Sequence, residues 1–195
     1  MKWRNELYYI TPIENIPSIM EHGILSYEAV ASLGHSSVAN SDVQKRRSHK
    51  CIPNGLPLHQ YVNLYFDARN PMMYSRKDKV NNLCVLVIKQ DILKVEGVVI
   101  SDRNSASKYA AFRPYSNGLN NLDFATIYME DWRDSEKFKY YYKKSVKCAE
   151  VLVPHRVNPD YISKAIVGNE IAKKMLVSNG FLLTIIIDPK MFFAE

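Results

Sequence analysis

Apolar residues recur along this chain with two periods, one of helices and one of strands. Leu7 to Ile10 is a short apolar run, followed by Thr11, Pro12, Ile13 and Glu14 in capping-box order, with the proline at the first helical position. Ile13, Ile16, Ile19 and Met20 then fall at helical spacing, and Gly23 stands where a left-handed C-terminal cap is needed. Strand, tight turn and helix form the predicted opening unit. Residues 26–57 are polar, rich in Ser, His and Asn, and end in a Pro and Gly cluster, which predicts a long loop with one short helix carrying the basic residues. Val62 to Phe66, Cys84 to Ile88 and Val98 to Ser101 are short, apolar and rich in β-branched or aromatic residues, as strands are.

Residues 102–134 show no clean period, although Leu122 to Met129 has the makings of a short helix. Near the end, Val151 to Val153, Ala165 to Val167 and Phe181 to Ile187 read as strands, and Asn169 to Ser178 as a helix closed by Gly180. The unbroken apolar run of the last strand predicts burial on both faces. The expected fold class is α+β, a mixed α/β domain with short strands in a split or twisted sheet and flanking helices. A chain of 195 residues is the size of one domain, so a single unit over 1–195 is expected.

Composition narrows the partners. A formal net charge of +6 favours contact with polyanions, of which nucleic acid is the first candidate. Cys51, Cys84 and Cys148 are odd in number and far apart, which fits a reducing cytoplasm better than a disulfide framework. Neither an N-terminal apolar leader nor a stretch long enough to span a bilayer is present in the sequence, so no membrane role is expected. The histidines show no metal-ligand spacing, and G-x-S-x-G, H-E-x-x-H and P-loop motifs are missing, so no metal is expected.

Three features carry candidate chemistry. Glu150 sits between Ala149 and the apolar strand Val151 to Val153, a setting in which a carboxylate is costly to bury without a partner. A glutamate there is ordinarily solvated, and only its context raises it. Arg46 and Arg47 offer guanidinium donor pairs suited to a pyrophosphate, or simply a solvated basic face. From Trp132 to Lys147 the chain reads WRDSEKFKYYYKKSVK. Rings interleaved with lysines suit single-stranded nucleic acid, and suit equally an amphipathic element with inward tyrosines.

These segments resemble the DarT family of DNA ADP-ribosyltransferase toxins. The resemblance runs in order from Tyr8 to about Val167 through YITPIENIPSIMEHGIL, VQKRRSHKCIPNGLPLHQYVNLYFDARNPMMY, ISDRN, LDFATIYMEDW and KCAEVLVP. It implies the ADP-ribosyltransferase fold and transfer of ADP-ribose from NAD to a base of single-stranded DNA, guanine or thymine, without a metal. By position, it implies Glu150 as the catalytic glutamate and Arg46 as the NAD-binding, catalysis-supporting arginine. Tyr65 and Phe66 would line the nicotinamide pocket with Asn70 and Met73 nearby, and Tyr9, Thr11 and Asn15 would contact the nucleotide. Lys144 would be a DNA contact in a loop spanning residues 131–147, with Arg47, Lys143, Trp132 and Tyr141 assisting. Tyr9 and Pro12 depart from the family pattern, which has histidine at both positions in some members. A macrodomain antitoxin of the DarG type is the implied partner. The rival expectations are a transferase of the same fold acting on RNA or protein, and a non-catalytic single-strand binder.

Overall fold

The computed structural model describes residues 2–30 and 41–194. The chain opens with β1 (Glu6–Pro12), α1 (Ile16–His22), β2 (Ile24–Leu25), α2 (Tyr27–Val30) and α3 (Ser41–Ser48). The middle holds β3 (Tyr61–Tyr65), α4 (Pro71–Tyr74), β4 (Leu83–Lys89), β5 (Val99–Ser101), β6 (Phe112–Pro114), α5 (Tyr115–Gly118) and α6 (Phe124–Ile127). The remainder is α7 (Lys137–Val146), β7 (Glu150–Pro154), β8 (Arg156–Val157), β9 (Ile162–Val167), α8 (Glu170–Ser178) and β10 (Thr184–Ile187). Eight strands form one sheet in the order β10-β9-β4-β1-β3-β7-β5-β6, and β2 pairs with β8 beside it.

The sheet is nearly divided at its centre. β1 pairs with β4 along its whole length, from Glu6 opposite Lys89 to Pro12 opposite Leu83, yet meets β3 only where Tyr8 lies opposite Tyr65. Beyond that pair, residues 9–12 of β1 and 61–64 of β3 are free to line a cleft, and Pro12 has no N–H to extend the ladder. The expected split sheet is therefore present, with the split between β1 and β3.

Alternation along the strands decides what faces the cleft. Val62, Leu64 and Phe66 enter the main core with Val151 and Val153, while Tyr61, Tyr65 and Leu152 belong to the clusters of the opposite face. Phe66 is fully buried against Trp3 and Phe124 in edge-to-face contacts.

Three expectations change. The capping box does not form, because β1 continues through Pro12, Ile13–Asn15 make a single tight turn, and α1 begins only at Ile16. The Thr11 hydroxyl instead bonds the Pro12 carbonyl at 3.3 Å and accepts from Asn15 Nδ2 at 3.2 Å. Gly23 does close α1, at φ 82°, with its N–H on the Ile19 carbonyl; a β-carbon there would lie 2.4 Å from the Val157 carbonyl oxygen. The last strand is an edge, not a doubly buried element: β10 pairs with β9 alone, Ile186 is 40% exposed and the preceding Leu182 92%. An apolar run reports composition, not the number of neighbours. The segment 131–147, expected as a loop, is mostly the helix α7.

A buried ion pair fixes the C-terminal end of α7. Lys147, 1% exposed, donates to Asp67 Oδ2 at 2.7 Å and to the Ile127 carbonyl at 3.0 Å, joining the end of α7 to α6 and to the turn after β3. Burial lowers the lysine's pKa, and Asp67 opposes that shift. Lys147→Met leaves Asp67 uncompensated and is expected to cost about 3 to 5 kcal/mol, read as a lower urea midpoint at unchanged m-value. Adding Asp67→Asn is expected to recover part of that loss.

Candidate active site at the sheet split

Glu150 opens β7 and lies opposite both Tyr65 of β3 and Ser101 of β5, at the point where β1 and β3 part. It is 1% exposed. Its Oε2 accepts from Arg47 Nη1 at 3.3 Å and from the Ser105 backbone N–H at 3.3 Å. No hydrogen bond from the described residues reaches Oε1, the oxygen left for a ligand in the cleft. A carboxylate this deeply placed, held through one oxygen with the other open, is built to meet positive charge.

Arg47 and Arg46 are neighbours on α3, about 100° apart around the helix axis, so they cannot share one bearing. Arg47 is the one turned inward, 5% exposed, and its Nη1 also donates to Ser105 Oγ at 2.6 Å. Arg46 also lines the cleft, but from its exposed rim. The inward arginine of the pair is thus Arg47, where the resemblance implied Arg46 as the NAD-binding, catalysis-supporting arginine and Arg47 as a nucleic-acid contact. The polar helix has no apolar stripe to set its rotation in advance.

The cleft has a volume of about 2260 Å³, well above the roughly 300–1,000 Å³ common for small-ligand pockets, and has room for a dinucleotide. Tyr9, Thr11 and Asn15 line one wall, and Tyr65 with Glu150 the other. Burial, then the charge of Glu150, raises the Tyr65 pKa well above its ordinary value. Burial pushes the Tyr9 hydroxyl up to about 12. Both phenols therefore stay protonated in the neutral range.

Several expected pocket residues face elsewhere. Phe66 turns into the core by strand alternation. Asn70 is fully buried as the N-cap of α4: its Oδ1 accepts from the Met72 and Met73 N–H groups, and its Nδ2 donates to the Asp67 carbonyl. Met73 packs in the second core cluster, and Met72 is the methionine that reaches the cleft.

The mouth is formed by one face of α7 and by the segment after β5. Phe138 and Tyr141 are 80% and 57% exposed on α7, Tyr109 is 67% exposed opposite, and Lys108, Lys137 and Lys144 stand among them. Lys143 is turned aside into a 2.7 Å bridge with Asp134. Trp132 is buried, edge-to-face with Tyr74 and Phe193, and anchors the start of the segment instead of presenting a ring. Ser105 was not singled out in the sequence; a lone serine in the aperiodic stretch after β5 carries no signal beyond the turn-forming S-D-R-N-S run. Among the described residues no group of His, Cys, Asp and Glu could hold a metal ion, and no helix is long and apolar enough to cross a membrane.

Comparison with known proteins agrees with this geometry. The family model described as "ssDNA thymidine ADP-ribosyltransferase, DarT" matches residues 8–193. A DNA ADP-ribosyl transferase-DNA ADP-ribosyl glycohydrolase fusion protein of Thermosipho africanus (strain H17ap60334) is 34% identical over 96% of this chain and 49% of its own length. The chain thus spans about half of that curated relative. Among solved structures, Thermosipho africanus DarTG in complex with ADP-ribose has a TM-score of 0.83 at 31% identity, covering 97% of this chain and 51% of that one. Thermus sp. 2.9 DarT in complex with ADP-ribosylated ssDNA has a TM-score of 0.86 at 22% identity, with 98% and 99% covered, which shows a shared fold. The same Thermus protein is also solved with NAD+, at a TM-score of 0.77, 22% identity, and 96% and 97% covered. On the extent of the family match and the identity to the Thermosipho relative, the chain belongs to the DarT family.

Proposed function

We propose that this chain is an NAD-dependent ADP-ribosyltransferase acting on a base of single-stranded DNA, one transferase domain over residues 1–195. The observation that carries the reading is Glu150: buried at the split, lining the cleft, held through Oε2, with no hydrogen bond from the described residues on Oε1. The family description and the ligands of the solved relatives support it.

NAD supplies the ADP-ribosyl group, with nicotinamide as the leaving group. Tyr65 and Tyr9 form neutral aromatic walls that exclude water beside the bond to be broken. Arg47 orients Glu150 and offers its remaining donors to the pyrophosphate, a geometry for which a guanidinium is suited. Thr11 and Asn15 hold the nucleotide from the β1 side. Glu150 stabilises the positive charge that develops on the ribose as the glycosidic bond breaks, and takes the proton displaced when the base nitrogen bonds to the anomeric carbon. Arg46, on the rim, contributes charge toward the phosphates.

Tyr141, Phe138 and Tyr109 give bases rings to stack on, and Lys144 and Lys137 follow the phosphates. Tyr141→Ala is expected to raise the DNA KM about tenfold while leaving the NAD KM unchanged, as measured by initial rates with each substrate varied in turn. The activity is that of a toxin acting in the cytoplasm, neutralised by a glycohydrolase partner of the macrodomain, DarG-like kind; the Thermosipho fusion relative joins a transferase to a glycohydrolase.

Thymine is the base named in the family description, and guanine is the alternative. Oligonucleotides lacking either base, offered with labelled NAD beside an RNA of the same sequence, decide between them. Label on thymine-containing DNA alone supports thymine, and label on guanine-containing DNA alone supports guanine. Equal labelling of RNA would move the substrate to RNA, because only the 2′-hydroxyl and the uracil-for-thymine exchange differ. Label on protein alone would make this a protein transferase of the same fold.

A further inference from the structure

Lys50 is half-buried at the end of α3 and forms no salt bridge with a carboxylate of the described residues. Its Nζ donates to two backbone carbonyls, of Ser105 at 2.7 Å and of Ser107 at 2.5 Å, over the ring of Phe112 at 4.9 Å. A half-buried ammonium that holds carbonyls instead of a counter-ion is a staple on the backbone it bridges.

That backbone carries one of the two hydrogen bonds on Glu150. The Ser105 N–H donates to Glu150 Oε2, and the Ser105 hydroxyl accepts from Arg47. Asn104 N–H is bonded to the Ser145 carbonyl of α7, and its side chain accepts from the Ala106 N–H, so residues 104–107 are gripped from α7 as well. Lys50 is itself anchored through its N–H to the Arg47 carbonyl and through its carbonyl to the Leu58 N–H. Lys50 lies two residues past the end of α3, and the turn that bonds its N–H to the Arg47 carbonyl brings both cations to the Ser105 segment.

Building on the transferase reading, we propose that Lys50 is a positioning residue for Glu150, acting through residues 104–107 with Ser105 at their centre. Lys50 also lines the cleft, and the role assigned to it is to set the direction of the carboxylate and of Arg47 through that segment. Displacing a reacting group by about 1 Å can cost on the order of 100-fold in rate, so loosening the staple is expected to show in kcat.

The test uses the full chain with Lys50→Met, Lys50→Arg and Lys50→Gln. For Lys50→Met, kcat is expected to fall roughly 30-fold with the NAD KM unchanged within about twofold, and Lys50→Arg, which keeps paired donors, is expected to restore most of it. In a Glu150→Gln background, Lys50→Met is expected to add less than about a twofold further loss, because residues acting as one unit are not additive. Amide exchange at Ser105 reads the staple without turnover and is expected to quicken at least about tenfold in Lys50→Met. A raised NAD KM with kcat intact would make Lys50 a substrate ligand and overturn the proposal, as would unchanged kcat or unchanged exchange. Should Lys50→Met not fold, Lys50→Gln decides: lowered kcat at constant KM with faster exchange at Ser105 supports the proposal, and wild-type kcat overturns it. A wild-type protein that forms no adduct on any acceptor contradicts the transferase reading itself, and the exchange measurement still decides whether the staple exists.

Discussion

Glu150→Gln is expected to lower ADP-ribose transfer roughly 10³-fold while leaving the fold and the NAD KM nearly intact. Glutamine keeps the shape of the side chain and can still accept from the Ser105 N–H, so the hydrogen bond that fixes its direction survives. What it loses is charge, in a site where Glu150 is 1% exposed and solvent screens little. A uniform binding role would instead raise KM and spare kcat, so measuring both under saturating DNA separates the two. The variant also leaves Arg47, 5% exposed, without its carboxylate, so a lower thermal midpoint accompanies the kinetic effect and is recorded beside it.

The second large effect separates two adjacent arginines. Arg47→Ala is expected to reduce kcat about 100-fold, because it removes a bond to Glu150 and the bond to Ser105 Oγ together. Arg46→Ala, at the exposed rim, is expected to change kcat by less than about threefold, with its effect confined to KM and to salt dependence. Steady-state kinetics of the two variants side by side read this directly. The reverse order would mean that Arg46 turns inward when substrate binds and that the arrangement of α3 described here is not the working one.

The parts of this molecule that were legible in the sequence are those where one residue's surroundings determine its setting. Glu150 heads an apolar strand, and an acid in that position has to be either outward or employed; the strand pairing with β3 places it inward. β3 and β4 announced themselves through β-branched and aromatic runs, and α8 through its helical period and Gly180. Rotation and partnership were not legible. Arg46 and Arg47 lie on a helix with no apolar stripe, so nothing local says which faces in. Tyr65 ends β3 and Phe66 follows it directly in extended sequence, so only one of them could face the cleft; period-two alternation states that rule, but not which face is which. Tyrosines and lysines on several sides of α7 hid its helical period, and Ser105 matters only because α3, β7 and residues 104–107 converge from distant parts of the chain.

The most direct test of the central claim is the intact mass of a single-stranded DNA oligonucleotide after incubation with NAD and either wild-type protein or Glu150→Gln, with released nicotinamide measured in the same samples. A gain of one ADP-ribose unit matched by one nicotinamide is expected for the wild type, and almost none of either for the variant. An adduct that forms equally well with Glu150→Gln would contradict it, because the reaction would then not depend on the carboxylate at the split of the sheet.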